Sequence, residues 1–133
     1  MYLNRLNDEQ KELFLDLCIH AAKGNEIVDE NERETIKQYC AEMRIDERFQ
    51  TTYSNEAILK KLSDISTKQE MRIVYIEIVA LVLSDGILDK QEKGFIEELE
   101  KAAQVTEDER NQIIDLLNQL YMAYKEVDAF IIS

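Results

Sequence analysis

Two carboxylate pairs in this chain share one spacing. Asp29 and Glu32 stand three residues apart, and so do Asp89 and Glu92. Each pair closes an acidic stretch, Asn25-Glu26-Ile27-Val28-Asp29-Glu30-Asn31-Glu32 and Asp85-Gly86-Ile87-Leu88-Asp89-Lys90-Gln91-Glu92. Such a pair can do two things. An Asp at a helix N-cap accepts from the first free backbone amides while the Glu three residues on reaches back. Alternatively, hard oxygens at this spacing can surround Ca²⁺, which takes six to eight oxygen ligands. The second stretch carries the oxygen ligand, glycine, apolar residue, oxygen ligand and closing Glu of the second half of a calcium-binding helix-loop-helix loop. The first half is missing: its ligand positions hold Leu81 and Leu83, and in the first stretch Ala21 and Lys23. The loop is therefore not an EF-hand. It is a partial oxygen cage that would need carbonyls, waters or the other stretch to complete it.

Three other groups could carry chemistry. Cys18 and His20 are two residues apart, which on a helix sends them to different sides. A buried thiol and an ordinary histidine are expected there. Cys40 could approach Cys18 across a helical hairpin, but no fourth soft ligand for zinc is evident. Glu77 lies inside the apolar run 73–83. A buried carboxylate there could be a catalytic acid, or it could face a gap between helices and pair with Arg72, Tyr75 or a tyrosine of the last helix. No glycine-rich phosphate loop, serine-nucleophile context or HExxH is present. The expectation is a non-enzyme.

The elements that must position these groups are helices. The chain has no proline and three glycines, too few turn-formers for a sheet protein of 133 residues. Asn7-Asp8-Glu9-Gln10 reads as a capping box opening a helix with Leu13, Phe14, Leu17, Cys18 and Ala21 inward, ending near Gly24. A second helix follows Asp29, with Ile36, Tyr39, Cys40 and Met43 inward. Asp46 is expected to cap a short turn or helix through Phe49. Ser54 caps a helix with Ile58, Leu59 and Leu62; Ser66-Thr67-Lys68-Gln69 opens the apolar helix ending near Ser84. Asp89 opens another, with Phe95, Ile96 and Leu99 inward, and Thr106-Glu107-Asp108-Glu109 opens a long last helix. The two acidic stretches superpose at an offset of 60 without a gap. Leu13 then falls on Ile73, Cys18 on Ile78, Ile36 on Ile96 and Asp46 on Thr106. The fold class expected is all-α: a bundle of about six to seven helices with an internal pseudo-two-fold repeat. It forms a single domain over 1–133, with repeat units about 8–48 and 67–107 and a C-terminal helix about 107–131.

The last helix places Ile113, Leu117, Leu120, Tyr124, Val127 and Ile131 on a heptad seam, with Ile114, Leu116, Tyr121 and Phe130 off it. A helix this apolar buries more than one face. Either it crosses both repeats as the spine of the core, or its final turns, around Tyr124, Val127, Phe130 and Ile131, dock on a partner or a second copy.

Composition bounds the partners. The apolar fraction is 45% and the charged fraction 33%, a globular balance, and the formal net charge is -12. That acidity repels nucleic-acid phosphate and anionic membrane surfaces, and favours metal cations and basic or amphipathic protein partners. The run 73–83 is too short to cross a bilayer, and no signal peptide is visible. The chain reads as cytoplasmic, with reduced thiols, no membrane insertion and no nucleic acid.

Leu83-Ser84-Asp85-Gly86-Ile87-Leu88-Asp89-Lys90-Gln91-Glu92, following a buried helix and preceding an amphipathic one, resembles the TerB-like (tellurite-resistance) domain family. The resemblance covers about residues 8 to 120. It implies an intracellular all-helical module linked to stress response, binding a divalent cation such as Ca²⁺ or Mg²⁺ near a membrane-associated partner. By that resemblance Asp85, Asp89 and Glu92 carry the metal site, with Asn25, Asp29 and Glu32 as counterparts. The first stretch departs from the family pattern, with Lys23-Gly24-Asn25-Glu26 in place of Ala-Asp-Gly. The alternative is a pure interaction module whose Asp-x-x-Glu pairs are only caps. That module docks its partner, or a second copy as a homodimer, through its acidic surface or last helix.

Overall fold

A computed structural model describes residues 1–22, 30–51, 53–83 and 90–133, the side chains of 31 and 90–92 left aside. Among these residues there are six α-helices and no strand. They are α1 (Asp8–Ala22), α2 (Glu30–Met43), α3 (Asn55–Ile65), α4 (Lys68–Val82), α5 (Lys90–Ala103) and α6 (Glu107–Ile132), preceded by a single 3-10 turn at Leu3–Arg5. The all-α bundle expected from the sequence is the fold observed.

Local chemistry explains where helices begin. Asn7 and Gln10 bond reciprocally: the Gln10 N–H donates to Asn7 Oδ1 and the Asn7 N–H to Gln10 Oε1, both at 2.8 Å. Ser54 Oγ accepts from the Ala57 N–H at the start of α3. Thr67 and Thr106 form full capping boxes with Glu70 and Glu109. The α4 box sits one residue later than expected. The Ser66 hydroxyl is engaged by the Gln10 side-chain amide at 2.9 Å, which leaves Thr67 to cap and ties the start of α1 to the start of α4. Replacing Thr67 with Ala should cost about 1 kcal/mol. The urea midpoint should fall while the m-value stays unchanged.

The ends of α2 and α5 are built alike. Arg44 and Gln104 both take left-handed backbone, at φ 59° and 58°. The next amides, Ile45 and Val105, reach back to the Cys40 and Glu100 carbonyls, the six-to-one bond of a Schellman cap. The bounds of α1 and α4 stand 60 residues apart, as do those of α2 and α5.

Helix α4 is the centre. From 73 to 83 no residue is exposed, and the helix touches α1, α2, α5 and α6. Its Ile78 and Leu81 are fully buried, as are Phe14 and Leu17 of α1, Ile36 and Met43 of α2 and Ile58 and Leu62 of α3, and Phe14 meets Tyr39 edge-on with ring centroids 5.5 Å apart. Helix α3 lies against α1 and α5. Tyr75 donates to Glu100 at 2.9 Å, and Arg110 of α6 lies 3.5 Å from the same carboxylate. Burial first, and then that carboxylate, push the Tyr75 phenol well above its usual range.

One expectation is corrected. Residues 45–50 form no helix or turn. Asp46 therefore caps no helix or turn there; the segment is held against α1 and α2 by its own side chains. Arg48 bridges Asp16 and Glu12 on α1 and the Gln50 carbonyl, and Arg33 stacks over Phe49. Of the two courses left open for α6, the spine of the core is not the one it takes. Only Leu117 in it is buried, and its helix contacts run chiefly to α4.

Candidate functional site

Helix α6 begins firmly. The Thr106 box starts it, and Arg72 of α4 pairs with Glu109 at 3.0 Å. Its first half lies on the bundle through Ile113, Ile114, Leu117 and Tyr121, and the Tyr121 hydroxyl donates to the Ala80 carbonyl at 3.0 Å. Beyond Tyr121 every residue through Ser133 is exposed. At 1.5 Å per residue the 26-residue helix is about 39 Å long, and its final eleven residues extend about 16 Å past that support. The apolar side chains do not stop where the support does. Tyr124 and Val127 are each 55% exposed, Ile131 71% and Phe130 81%. The four residues expected to dock a partner are thus free on the surface, on the continuation of the seam whose Ile113 and Leu117 face the bundle.

Between this overhanging half and the body lies a groove of about 950 Å³. Its floor includes Tyr39, Ala80 and Leu117; Leu120, Tyr121 and Tyr124 form one wall; Glu42 of α2 and Asp128 of α6 stand at its rim, with Lys125. The Tyr39 hydroxyl donates to the Glu77 backbone carbonyl at 2.8 Å, fixing α2 on α4. Burial raises that phenol's pKa, so the group stays a neutral donor.

Glu77 lies at the base of the groove, and its side chain is 2% exposed. None of the partners expected from the sequence takes it. Arg72 goes to Glu109, Tyr75 to Glu100 and Tyr121 to Ala80. The carboxylate instead accepts from the Met1 ammonium at 2.7 Å and the Tyr2 N–H at 3.1 Å. Glu42 accepts from the Leu3 N–H and also faces the Met1 amine. Burial lowers the amine's pKa, but Glu77 and Glu42 outweigh it and the net shift is upward. Reasoning along the chain missed this pair because its members are 76 positions apart and one is a backbone terminus.

The Cys18 and His20 groups do not assemble. Cys18 is wholly buried, and burial with the neighbouring Cys40 pushes its thiol well above its ordinary pKa. His20 donates from Nε2 to the Tyr53 carbonyl at 2.7 Å. A thiol held protonated and a ring engaged elsewhere make no nucleophile–base pair.

Of the acidic stretches, Asn25, Asp29, Asp85 and Asp89 lie outside the described residues, as does the side chain of Glu92. Glu32 is described, and it is buried in the first turn of α2. Among the described residues no three His, Cys, Asp or Glu side chains are grouped to hold a metal ion. Among them, too, no helix is long and apolar enough to cross a membrane.

No family model, curated protein or solved structure matches this chain.

Proposed function

We propose that this chain is a non-enzymatic protein-interaction module whose docking element is the distal half of α6. The observation that carries the reading is the exposure of Tyr124, Val127, Phe130 and Ile131 on a helix that has left its own bundle. A helical stretch of about eleven residues with its apolar face unpacked gains little stability of its own in water, because most helical stability in proteins comes from packing of that face. A partner that covers the face supplies that packing, at about 1.5–3 kcal/mol for each large side chain taken fully out of water. The buried thiol, the engaged histidine and the paired Glu77 speak for structural roles at the groups that could have been catalytic.

The test is a photo-crosslinking residue placed at Phe130 in producing cells, with the same residue at exposed Lys60 on α3 as control. A discrete protein adduct from position 130 alone is expected. The same pattern from both positions, or none, overturns the reading. Combining Val127→Asp with Phe130→Asp should weaken the captured partner at least about a hundredfold, as two anchor side chains are lost. The chain's own stability should change by less than about 0.5 kcal/mol, because neither residue packs on the bundle.

A second reading is the divalent-cation site of a TerB-like module. Its support is the sequence resemblance and the start of α2 and α5 at Glu30 and Lys90, directly after Asp29 and Asp89 in the chain. Against it stands the positive end of a helix macrodipole, which suits carboxylates as caps better than it suits a cation. This reading expects a cation-specific rise in melting temperature in Ca²⁺, Mg²⁺ or Mn²⁺ over EDTA, equivalent to about 2.7 kcal/mol at a hundredfold excess over the dissociation constant. Asp89→Asn should abolish that rise. A flat response to all three ions leaves the Asp-x-x-Glu pairs as helix caps.

A further inference from the structure

The groove beside the overhanging half of α6 has a chemistry of its own. One long side is apolar and aromatic, formed by Leu120, Tyr121 and Tyr124 of α6 facing Tyr39 of α2. The rim is acidic. Glu42 stands on the α2 side and Asp128 on the α6 side, with Lys125 beside it; the Met1 ammonium is shared between Glu77 at 2.7 Å and Glu42 at 3.1 Å, so the three carboxylates of the groove exceed its two cations by one. Among the described residues Asp128 and Lys125 make no ion pair.

The helix as a whole has the same sign. Between 107 and 132, α6 carries Glu107, Asp108, Glu109, Asp115, Glu126 and Asp128 against Arg110 and Lys125.

We infer that this groove receives a basic amphipathic helix of a protein partner, its apolar face on Leu120, Tyr121 and Tyr124 and its lysines or arginines at Glu42 and Asp128. This rests on the docking reading above and names the occupant. An apolar face laid into a hydrophobic groove is a recurrent mode of peptide recognition. Here the flanking charge selects among amphipathic helices by attracting basic ones and repelling acidic ones. A second copy is the poorer occupant on charge grounds. Each copy carries a net -12 and would bring the same acidic α6 to the same acidic rim. An anionic lipid surface is disfavoured by the same sign.

The experiment uses the full chain and two designed 18-residue helical peptides with an identical leucine face. One carries lysine and the other glutamate on its polar face. Affinities are read by fluorescence anisotropy in 150 mM salt, and the chain alone by sedimentation at several concentrations. The lysine peptide should bind at least tenfold more tightly than the glutamate peptide. Combining Asp128→Asn with Glu42→Gln should weaken it at least fivefold. Asp128→Asn alone, at an exposed residue that braces nothing, should show the same direction without risk to the fold. Combining Glu56→Gln with Asp64→Asn, on α3 and away from the groove, should change it less than twofold.

Equal loss in the α3 variant would mean adsorption to an acidic surface and overturn the inference. Equal binding of both peptides, abolished by Val127→Asp, would overturn the basic occupant and keep the docking reading. A concentration-dependent dimer abolished by Phe130→Asp, with no peptide bound, would replace the basic helix by a second copy and again keep that reading. Binding to phosphatidylcholine vesicles with neither peptide binding nor dimer would overturn both.

Discussion

Glu77→Ala should lower the unfolding free energy by about 3 kcal/mol. The carboxylate is 2% exposed and holds the Met1 ammonium and the Tyr2 N–H, so its loss leaves a donor and a charge without their partner and a void in the base of the groove. Breaking a buried ion pair by removing one member costs about 3–5 kcal/mol. The lower end applies because the amine is 40% exposed and can turn to Glu42 and water. Glu77→Gln, which keeps an acceptor for Tyr2, should cost less. Urea titration at pH 7 reads both. The pair also sets a pH dependence with a definite sign. The amine's folded pKa lies above its ordinary value of about 8. In protein carrying a free Met1 amine its contribution is therefore fully present below about pH 8, and it is lost as pH rises through the folded pKa. Glu77→Ala should flatten that alkaline slope. An unchanged slope, or a variant as stable as the parent, would show that the pair contributes nothing to the fold.

Arg48→Ala should cost about 2–3 kcal/mol. Arg48 is the clasp that holds residues 45–50 against α1. Its guanidinium spans the Asp16 carboxylate, the Glu12 carboxylate and carbonyl, and the Gln50 carbonyl. Burial lowers the guanidinium's pKa, but the two carboxylates reverse that and hold it above the usual arginine value. Asp16 is almost wholly buried, so deleting the arginine leaves a carboxylate with no partner in a poorly hydrated site. The figure stays below that of a fully buried pair because Arg48 itself is about one-third exposed. Arg48→Lys should recover only part of the loss, since an ammonium cannot reproduce the planar fork that spans four acceptors. In a double-mutant cycle Arg48→Ala and Asp16→Ala should couple by about 1–3 kcal/mol. Additive losses would show that the clasp is ornamental and that α3 is placed by its own apolar contacts.

The helices and much of the core were legible in the sequence because both are written locally. The Asn7–Gln10 and Thr106–Glu109 boxes, the Ser54 cap and the inward stripes of α1, α2 and α3 all follow from spacings of three and four. The offset of 60 reappears in the bounds of four helices and in the paired caps at Arg44 and Gln104. What was not legible depends on distant parts of the chain. Thr67 displaces Ser66 as cap because Gln10 reaches across from α1. Asp46-Glu47-Arg48 has the look of a helix start, and Arg48 instead spends its donors on α1. Glu77 was readable as a buried carboxylate needing a partner, but not as the partner of Met1.

The candidate docking site shows the same limit from the other side. Leu117 and Val127 belong to one seam, and hydrophobic periodicity gives them one reading. Periodicity reports which face of a helix is apolar and not what covers it. Leu117 is covered by the bundle, and Val127 is 55% exposed among the described residues. The final turns were open between those outcomes until α6 was seen to leave the body at Tyr121.

The bare end of α6 also governs how molecules of this protein treat one another. Phe130, Ile131 and Ile132 present adhesive tips to any neighbour at high concentration. At neutral pH the -12 charge on every copy supplies the repulsion that keeps such tips apart. Acidification toward the isoelectric point of about 4.5 removes it while the tips remain. The protein's colloidal stability therefore hangs on the same acidity that would bias its choice of partner.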